Sequence, residues 1–419
     1  MKKDDLAPRL GRFKNYRTAT RHFRWPELSR LNIAAAVLRR PDDARTALIE
    51  VKSAGENIYT FGALDFYSDK FANALAAVGL KSKDAVAVML PQCAALAVAH
   101  LGALKMGCAV APMAEDSSAP DLERAINNSQ AKAIVISPRS RERMDSISNA
   151  TLEAVFVAAE LDESTEDKNF WREIYGASSD FAMAETPVDA PAFIFHEDDQ
   201  AGVVHGHSLL MGSLPAFEMV NDFDLADDAV FYTPLKWSSA QSLFGFLYPA
   251  WFYGLAVVAC ETTSALVVAE RYRVTNVMAS SDCLFETEKR PDLKLRSIYS
   301  VNETLPRRAK EIAAATASAY GAREAPMIMA SCDRWFAAPA GSRGRAAPGH
   351  QIEVIDESGQ TAPPGESGSL ALRRPDPSLF LSRCGDHIGE DAGEWLAIAR
   401  GFRDKDGSLW LAPGGDNYE

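Results

Sequence analysis

The stretch YTFGALDFYSDKFANALAAVGLKSKDAVAVMLPQCAALAVAHLGALKMGCAVAPM, Tyr59 to Met113, decides the fold class. Thr60 can cap a helix that keeps helical apolar spacing until Gly79. The unbroken apolar run over 85–90 then predicts a strand buried on both faces. A helix over about 92–105 and a further strand follow. Strands that alternate with helices at this spacing predict a parallel, doubly wound sheet.

The same alternation continues to about residue 137 and returns after Pro191, with short antiparallel strands after about residue 340. We therefore predict an α/β fold: two doubly wound, mostly parallel sheets packed together, plus a small antiparallel β-barrel-like subdomain. The predicted divisions are an amino-terminal extension, a first α/β subdomain, a second α/β subdomain and a β subdomain that ends at a hinge, covering residues 1–28, 29–190, 191–339 and 340–419.

Composition limits the function classes. The chain has 419 residues, 47% of them hydrophobic, with a formal net charge of -13. That charge argues against nucleic acid and against anionic membranes as partners, because both require a basic surface. The longest apolar run, over 243–260, is interrupted by Gly245, Pro249 and Gly254, so we expect a buried helix, turn and strand and no membrane span. Six cysteines without a CxxC pair, and no signal-peptide pattern, predict reduced thiols and a cytoplasmic location.

Four segments together resemble acyl-CoA synthetases of the adenylate-forming (ANL) superfamily. They are the opening stretch, FRWPELSRLNI (23–33), FYTPLKWSSAQSLFGFLYPAWFYGLAVVA (231–259) and GSRGRAAPGHQIEVIDESGQTAPPGESGSLALRRPDPSLFL (341–381). The chain is most similar to the medium- or short-chain fatty acyl-CoA branch. The resemblance implies ATP, a carboxylic acid and CoA as substrates, with an acyl-adenylate formed first and a thioester second.

The phosphate-binding loop departs from the family pattern. A strand like PALIIY should lead into a ten-residue loop like TSGTTGPPKG, but here PAFIFH leads into only six residues: Glu197, Asp198, Asp199, Gln200, Ala201 and Gly202. One carboxylate within about 4 Å of a phosphate charge costs roughly 4 kcal/mol at an effective dielectric near 20. Two or three such contacts offset a micromolar ATP affinity of about 8 kcal/mol. A bridging Mg²⁺ would turn this repulsion into attraction. The alternative is that the segment is a shortened, solvated turn that binds neither phosphate nor Mg²⁺. The residues that follow, over 203–210, are expected to begin a helix.

The other nucleotide positions implied by the resemblance are also altered. The adenine-contacting turn, like SGGEAL, reads SVNETL and keeps Glu303. The motif like YGQTE reads MASCD, in which Asp333 either holds Mg²⁺ or caps a helix or loop. The ribose-binding acid has no counterpart in LAIARGF (396–402), and the hinge keeps at best Asp416. The family's carboxy-terminal lid domain, which brings the adenylation lysine, is expected to be absent.

The resemblance implies that the acyl pocket is kept, although a stripe of Phe and Trp at helical spacing is also typical of an ordinary core. Trp237 is expected in an aromatic-rich helix that lines the acyl channel, with His205 and His207 from the family-like HGH nearby. His196, beside carboxylates, raises the alternative of a transition-metal site, but the family's histidines need no metal. We assign no catalytic residue and no metal.

The sequence therefore predicts a degenerate acyl-CoA synthetase homologue. It is expected to bind an acyl or acyl-CoA ligand, or to associate with a partner protein, which is either a second copy of the chain or an intact acyl-CoA synthetase. We expect it neither to make adenylates nor to hold a cofactor. The alternative is an ATP-dependent acyl-CoA ligase whose carboxy-terminal domain is supplied in trans. Only under that alternative are ATP with Mg²⁺ and CoA expected as cofactors.

Overall fold

The computed structural model of the chain describes residues 6–39, 42–53, 55–148, 151–163, 167–196, 201–261, 265–285, 293–303, 305, 309–386 and 393–412. The strands of the described residues, in chain order, are β1 Thr46–Lys52, β2 Gly55–Thr60, β3 Ala85–Met89, β4 Ala109–Pro112, β5 Ala131–Ile136, β6 Ala154–Val157, β7 Lys168–Asn169, β8 Pro191–Phe195, β9 Val203–Gly206, β10 Val230–Tyr232, β11 Ala256–Ala259, β12 Asn276–Met278, β13 Leu295–Val301, β14 Ala313–Ala322, β15 Ala325–Ala330, β16 Arg345–Ala346, β17 Ile352–Ile355, β18 Ser367–Arg373, β19 Ser382–Arg383, β20 Trp395–Arg403 and β21 Leu409–Leu411.

The α-helices of the same residues are α1 Tyr16–His22, α2 Ile33–Leu38, α3 Phe61–Ala77, α4 Ala94–Met106, α5 Ala119–Ser129, α6 Arg141–Met144, α7 Phe170–Gly176, α8 Leu209–Val220, α9 Ala240–Ser242, α10 Tyr248–Tyr253, α11 Ala265–Arg271, α12 Ser281–Phe285 and α13 Ala309–Ile312. Two 3-10 turns, Leu10–Arg12 and Pro138–Ser140, and a π-helical turn, Leu243–Leu247, complete the set.

The strands form two large sheets and one small one. The first large sheet has the order β19-β9-β8-β4-β3-β5-β6-β7, and the second has the order β16-β15-β14-β13-β12-β10-β11-β1-β2. The second sheet is parallel through its middle and antiparallel at both edges, whereas the first sheet is antiparallel at its β19–β9–β8 edge and parallel from β8 to its other edge at β7. The small sheet, β17-β18-β20-β21, is antiparallel throughout. The predicted fold class is confirmed.

Each of two hairpins joins the sheet that is formed mainly by the other half of the chain, which the sequence did not predict. The β1–β2 hairpin pairs with β11 and so belongs to the second sheet. The β8–β9 hairpin pairs with β4 and so belongs to the first sheet, although we grouped its first strand with the second half. The predicted helix start over 203–210 is also wrong, because Val203 to Gly206 return antiparallel along β8 and the helix begins at Leu209. The divisions at residues 28, 190 and 339 stay predictions.

The local signals at the opening stretch act as expected. Thr60 Oγ1 accepts a hydrogen bond from the Ala63 amide at 3.0 Å, so α3 begins with a side-chain cap. The chain then turns at Gly79, whose φ is 95°. Helix α4 ends at Gly107, which adopts the left-handed conformation that favours glycine.

Two helices without an exposed face lie between the large sheets. Every residue of α4 and every residue of α8 is buried. Their side chains join one hydrophobic core that also contains residues of α2, α3, α10 and both sheets. A helix with apolar residues on every side has to be covered on every side, here by the two sheets and the neighbouring helices, because any exposed face would place apolar surface in water.

The apolar run over 243–260 forms the π-helical turn, α10 and strand β11, as predicted. Its side chains enter the core between the sheets, where the Trp251 indole donates to the Ala47 carbonyl at 2.9 Å. Within the described residues, no helix combines the length and hydrophobicity that a membrane crossing needs.

The buried carboxylate of Glu218 in α8 fixes the amino-terminal segment. It accepts hydrogen bonds from the amides of Arg9 (2.9 Å) and Leu10 (2.5 Å) and from the Tyr253 hydroxyl (2.5 Å). Burial raises the pKa of this carboxyl above its ordinary value. One side chain therefore anchors residues 9 and 10 to the helices between the sheets.

We expect Glu218→Ala to lower the free energy of unfolding by about 3 kcal/mol, because buried donors would lose their acceptor. Urea denaturation followed by circular dichroism measures the change. Glu357→Ala, at an exposed turn position, is the matched control and should leave the midpoint in place. Equal midpoints for the two variants would contradict the anchoring role of Glu218.

Candidate functional site

The carboxyl ends of strands from both large sheets meet in one crevice. In the first sheet β3, β4 and β5 end at Met89, Pro112 and Ile136, and in the second sheet β10 and β11 end at Tyr232 and Ala259. Residues that follow all five strands line the same cavity. In open α/β sheets, ligands bind outside the carboxyl ends of the strands, so this crevice is the candidate site.

The side-chain amide of Gln92 joins the two sheets at the crevice. Gln92 follows β3, and its Nε2 donates to the carbonyls of Thr233, at 3.1 Å, and Leu235, both just after β10. Its Oε1 accepts from the Cys260 amide, just after β11, at 3.4 Å. Since the side chain is buried, these bonds are shielded from water and fix the spacing between the loops of the two sheets.

A cavity of about 270 Å³ lies beside Gln92, and we call it the Trp237 cavity. Its lining combines apolar and polar side chains from both sheets: Leu90, Pro91, Gln92, Met113, Ala114, Glu115, Arg139, Pro234, Lys236, Trp237, Ser238, Cys260 and Glu261. Trp237 is 2% exposed, and its ring lies edge-on to Trp251 at 6.5 Å between centroids. The expected helical position of Trp237 is wrong: it lies in the turn before α9, because Ser239 caps that helix two residues later.

Charged side chains close the rim of the Trp237 cavity across the two sheets. Arg139 of the first sheet's loops bridges Glu115 and Glu261, with the Arg139 Nη2 to Glu261 Oε1 distance at 2.7 Å. Lys236, after β10, pairs with Asp116, after β4. Each cation on this rim therefore already has a carboxylate partner.

A second cavity of about 170 Å³ adjoins the first, sharing Met113, Ala114 and Ser238 with it. His196, directly after β8, and the buried Arg323 lie on its wall. Neither ring nitrogen of His196 has a hydrogen-bond partner among the described residues. Burial, assisted by the Arg323 guanidinium, lowers the pKa of His196 to about 4, so the ring is neutral near pH 7.

The predicted acyl-pocket histidines are buried and line neither cavity. His205 Nε2 bonds to the Arg323 carbonyl at 2.8 Å, and His207 Nδ1 accepts from the Ile33 amide at 3.2 Å. Burial lowers the pKa of both rings to about 4. Among the residues that the structure describes, no three His, Cys, Asp or Glu side chains gather as a metal site would require.

The predicted phosphate-loop residues are described only in part. Glu197, Asp198, Asp199 and Gln200 lie outside the described residues. Ala201 is exposed, whereas Gly202 is buried and its carbonyl accepts from the Cys384 amide at 2.7 Å. A Cβ on Gly202 would stand 2.5 Å from His196 Nε2, so a larger residue does not fit at this end of the loop.

Of the remaining nucleotide positions, Glu303 and Asp333 line neither of the two cavities. The Glu303 carboxylate accepts from the Ser281 amide, at 2.6 Å, and from the Ser281 hydroxyl, at 3.0 Å. Asp333 is exposed in a turn and lines neither cavity. Asp416 lies outside the described residues.

Sequence reasoning missed Gln92, Arg139 and Arg323 as crevice residues, and it considered His196 only for the metal-site alternative. A signal existed for Gln92, Arg139 and His196, since each follows a predicted strand within a few residues, the first two in the first predicted α/β subdomain and His196 in the second. Polar side chains in that position gather at one edge of a parallel sheet. Arg323 lies between β14 and β15, and no local pattern marks its side chain as buried.

The crevice between two parallel sheets and the order of the strands now have a counterpart among known proteins. The chain belongs to the AMP-binding enzyme family, whose model matches residues 34–381.

Individual relatives agree with that membership. An uncharacterized acyl-CoA ligase of Bacillus subtilis is 26% identical, with 89% of this chain and 74% of the relative covered. A mitochondrial acyl-coenzyme A synthetase of Homo sapiens is 25% identical, with 89% and 69% covered. In fold, the chain is similar to the crystal structure of a Brucella canis acyl-CoA synthetase, with a TM-score of 0.85, 20% identity, and 96% of this chain and 80% of that one covered.

The buried histidines should make folding sensitive to acid. Burial lowers the pKa of His205 and His207 from 6.5 to about 4, so the unfolded chain binds more protons below pH 6.5. The free energy of unfolding should therefore fall as the pH drops from about 6.5 to about 4. A single such ring accounts for roughly 3 kcal/mol of this loss.

Urea titrations of wild type and His205→Gln across this pH window test the point. The variant should show a flatter decline, because glutamine can still donate to the Arg323 carbonyl but does not titrate. His22→Gln, at an exposed position, serves as the matched control and should decline like wild type. If the free energy of unfolding fell equally steeply with pH in all three proteins, His205 would not contribute to the acid sensitivity.

Proposed function

We propose that this acyl-CoA synthetase homologue binds an acyl or acyl-CoA ligand in the Trp237 cavity without forming an acyl-adenylate. The observation that carries the proposal is the cavity itself. It lies at the carboxyl ends of five strands, and apolar side chains such as Leu90, Pro91 and Trp237 contribute to its wall. A concave site with an apolar wall and a few polar groups suits a small ligand that has an apolar body.

The wall of the Trp237 cavity favours an acyl group over a triphosphate. Glycines let backbone amides wrap phosphates, yet no glycine lies among the described residues that line either cavity. Arg139 and Lys236 already pair with carboxylates. The acidic residues Glu197, Asp198 and Asp199 would add repulsion at the place where the family binds phosphate.

The adenine-contacting turn supports the same proposal. Asn302 adopts a left-handed conformation, with φ at 65°, where the family pattern has glycine. Its side-chain oxygen accepts from the Gly321 amide at 3.1 Å, which ties the turn to β14. Together with the Glu303 bonds to Ser281, this turn serves the packing of its own neighbours.

The alternative is an ATP-dependent acyl-CoA ligase that receives a carboxy-terminal domain in trans. It is favoured by the relatives, whose names describe acyl-CoA ligases and synthetases. A domain supplied in trans can bring a lysine and CoA contacts, but it leaves the six residues from Glu197 to Gly202 unchanged. That segment separates the two proposals.

Calorimetry on one preparation should detect binding of fatty acids or their CoA esters and no binding of ATP with Mg²⁺. We expect Trp237→Ala to weaken ligand binding about tenfold, or about 1.4 kcal/mol, because the cavity loses its largest side chain. Trp237→Phe should keep most of the affinity. Trp410→Ala, in the small sheet where Trp410 stacks on Phe402, is the matched control and should bind like wild type.

Two results would overturn this proposal in different ways. No heat with any acid or thioester, from short to long chains, would exclude the acyl ligand. Release of pyrophosphate, or formation of an acyl-hydroxamate, with ATP, Mg²⁺ and a panel of acids would show that adenylation persists. Melting temperatures of the Trp237 variants distinguish lost binding from lost folding.

A further inference from the structure

The edge strand β2 is unusually open. It is the last strand of the second sheet, and no described strand lies along its outer side. Its first four residues are exposed. Exposed edges are usually protected by lysine, proline or a short length, but GENIYT has neither residue type and runs for six positions. Glu56 is its single charged residue.

Exposed hydrophobic side chains surround this same strand. The large hydrophobic residues that are exposed in the described part of the chain are Ile58 (60%), Phe66 (47%), Leu161 (48%), Tyr175 (54%) and Val267 (44%). Ile58 lies in β2 itself, and ring contacts through Tyr67 connect Phe66 and Tyr175 to the same hairpin.

On one face of the hairpin, aromatic rings form a chain. Tyr67 of α3 lies 6.4 Å from Tyr59 of β2, 5.5 Å from Phe66 and 6.2 Å from Tyr175 of α7, measured between ring centroids. Leu161 lies beside the amino-terminal end of α7, where its carbonyl accepts a hydrogen bond from the Arg172 side chain at 2.8 Å.

On the other face, Ile58 stands opposite Ile49 of β1. Helix α11, which carries Val267, borders this face, because its Val268 and Ala269 belong to the hydrophobic cluster against which Ile49 packs. Both sides of the edge strand are therefore flanked by exposed apolar surface, which marks interaction sites on soluble proteins.

We propose that a second copy of this chain pairs its own β2 antiparallel along this edge. The two copies are related by a two-fold axis that passes midway between Ile58 and its counterpart. In such a pair, residues directly opposite each other point to the same face, so a perpendicular two-fold axis must place one residue opposite its own copy. An axis through Ile58 places Ile58 against its own copy and Glu56 against Thr60. An axis through Asn57 would instead press the Glu56 carboxylate against Ile58.

Local charge also suits a second copy. The whole chain carries a net charge of -13, which opposes self-association over most of its surface. Around β2 the charges are mixed: Lys52, Lys70, Arg172 and Arg271 lie among Glu56, Glu160 and Glu173. Two copies that meet here therefore bring cations as well as carboxylates to the contact.

Sedimentation equilibrium over a wide concentration range should show a dimer for wild type. Ile58→Lys should be monomeric over the same range, because each copy would place a charge on the two-fold axis. Tyr175→Glu, which leaves the strand unchanged, should weaken dimerisation. Gln360→Lys, an exposed position in the small-sheet turn, adds the same charge away from the edge and should dimerise like wild type.

Cysteine cross-linking tests the register. Under mild oxidation Ile58→Cys should form a covalent dimer with itself, since opposite Cβ atoms lie about 5 Å apart. Glu56→Cys should cross-link when mixed with Thr60→Cys and not alone. A monomeric wild type, a dimer that survives in Ile58→Lys, or cross-linking of Glu56→Cys with itself would each overturn the proposal. Circular dichroism confirms that every variant is folded.

Discussion

The complete burial of α4 and α8 between the two large sheets is the constraint on which the rest of the structure depends. Polar side chains on a helix with no solvated face have to find their partners inside the protein. Lys105 meets Asp65 and Asp69 at 2.6 and 2.7 Å, and His100 meets the Tyr248 hydroxyl at 3.1 Å. Because these partners come from neighbouring helices, satisfying the two buried helices also fixes the layer around them.

The crevice follows from that layer. The Glu50 carboxylate of β1 accepts from the Ala94 amide at the start of α4 at 2.9 Å, so the second sheet caps a helix that belongs to the first. Gln92 then spans the loops of both sheets two residues earlier. The carboxyl ends of the strands are thus held at a fixed separation, and the Trp237 cavity occupies the space that remains.

The fold class was predictable because strand and helix periodicity are local properties, as α3 with its Thr60 cap illustrates. Membership of a strand in one sheet or the other is not local. PAFIF is as apolar as a strand of either sheet requires, and its place beside β4 depends on where the chain crosses over. For the same reason, the sequence indicated that Trp237 belongs to the site, but it placed the residue in a helix that begins later. The burial of Arg323 depends on packing that no sequence pattern reveals.

The exchange of hairpins between the sheets has a consequence for how the chain is made. Residues 46–60 leave the ribosome early, but their parallel neighbour β11 is synthesised about two hundred residues later. The first sheet likewise stays incomplete until the β8–β9 hairpin and then β19 arrive. Contacts so distant in sequence slow folding and leave strand edges open in the meantime. Until β11 is made, the edge of β1 is therefore open as well as the edge of β2, and premature pairing between neighbouring chains is the hazard to avoid.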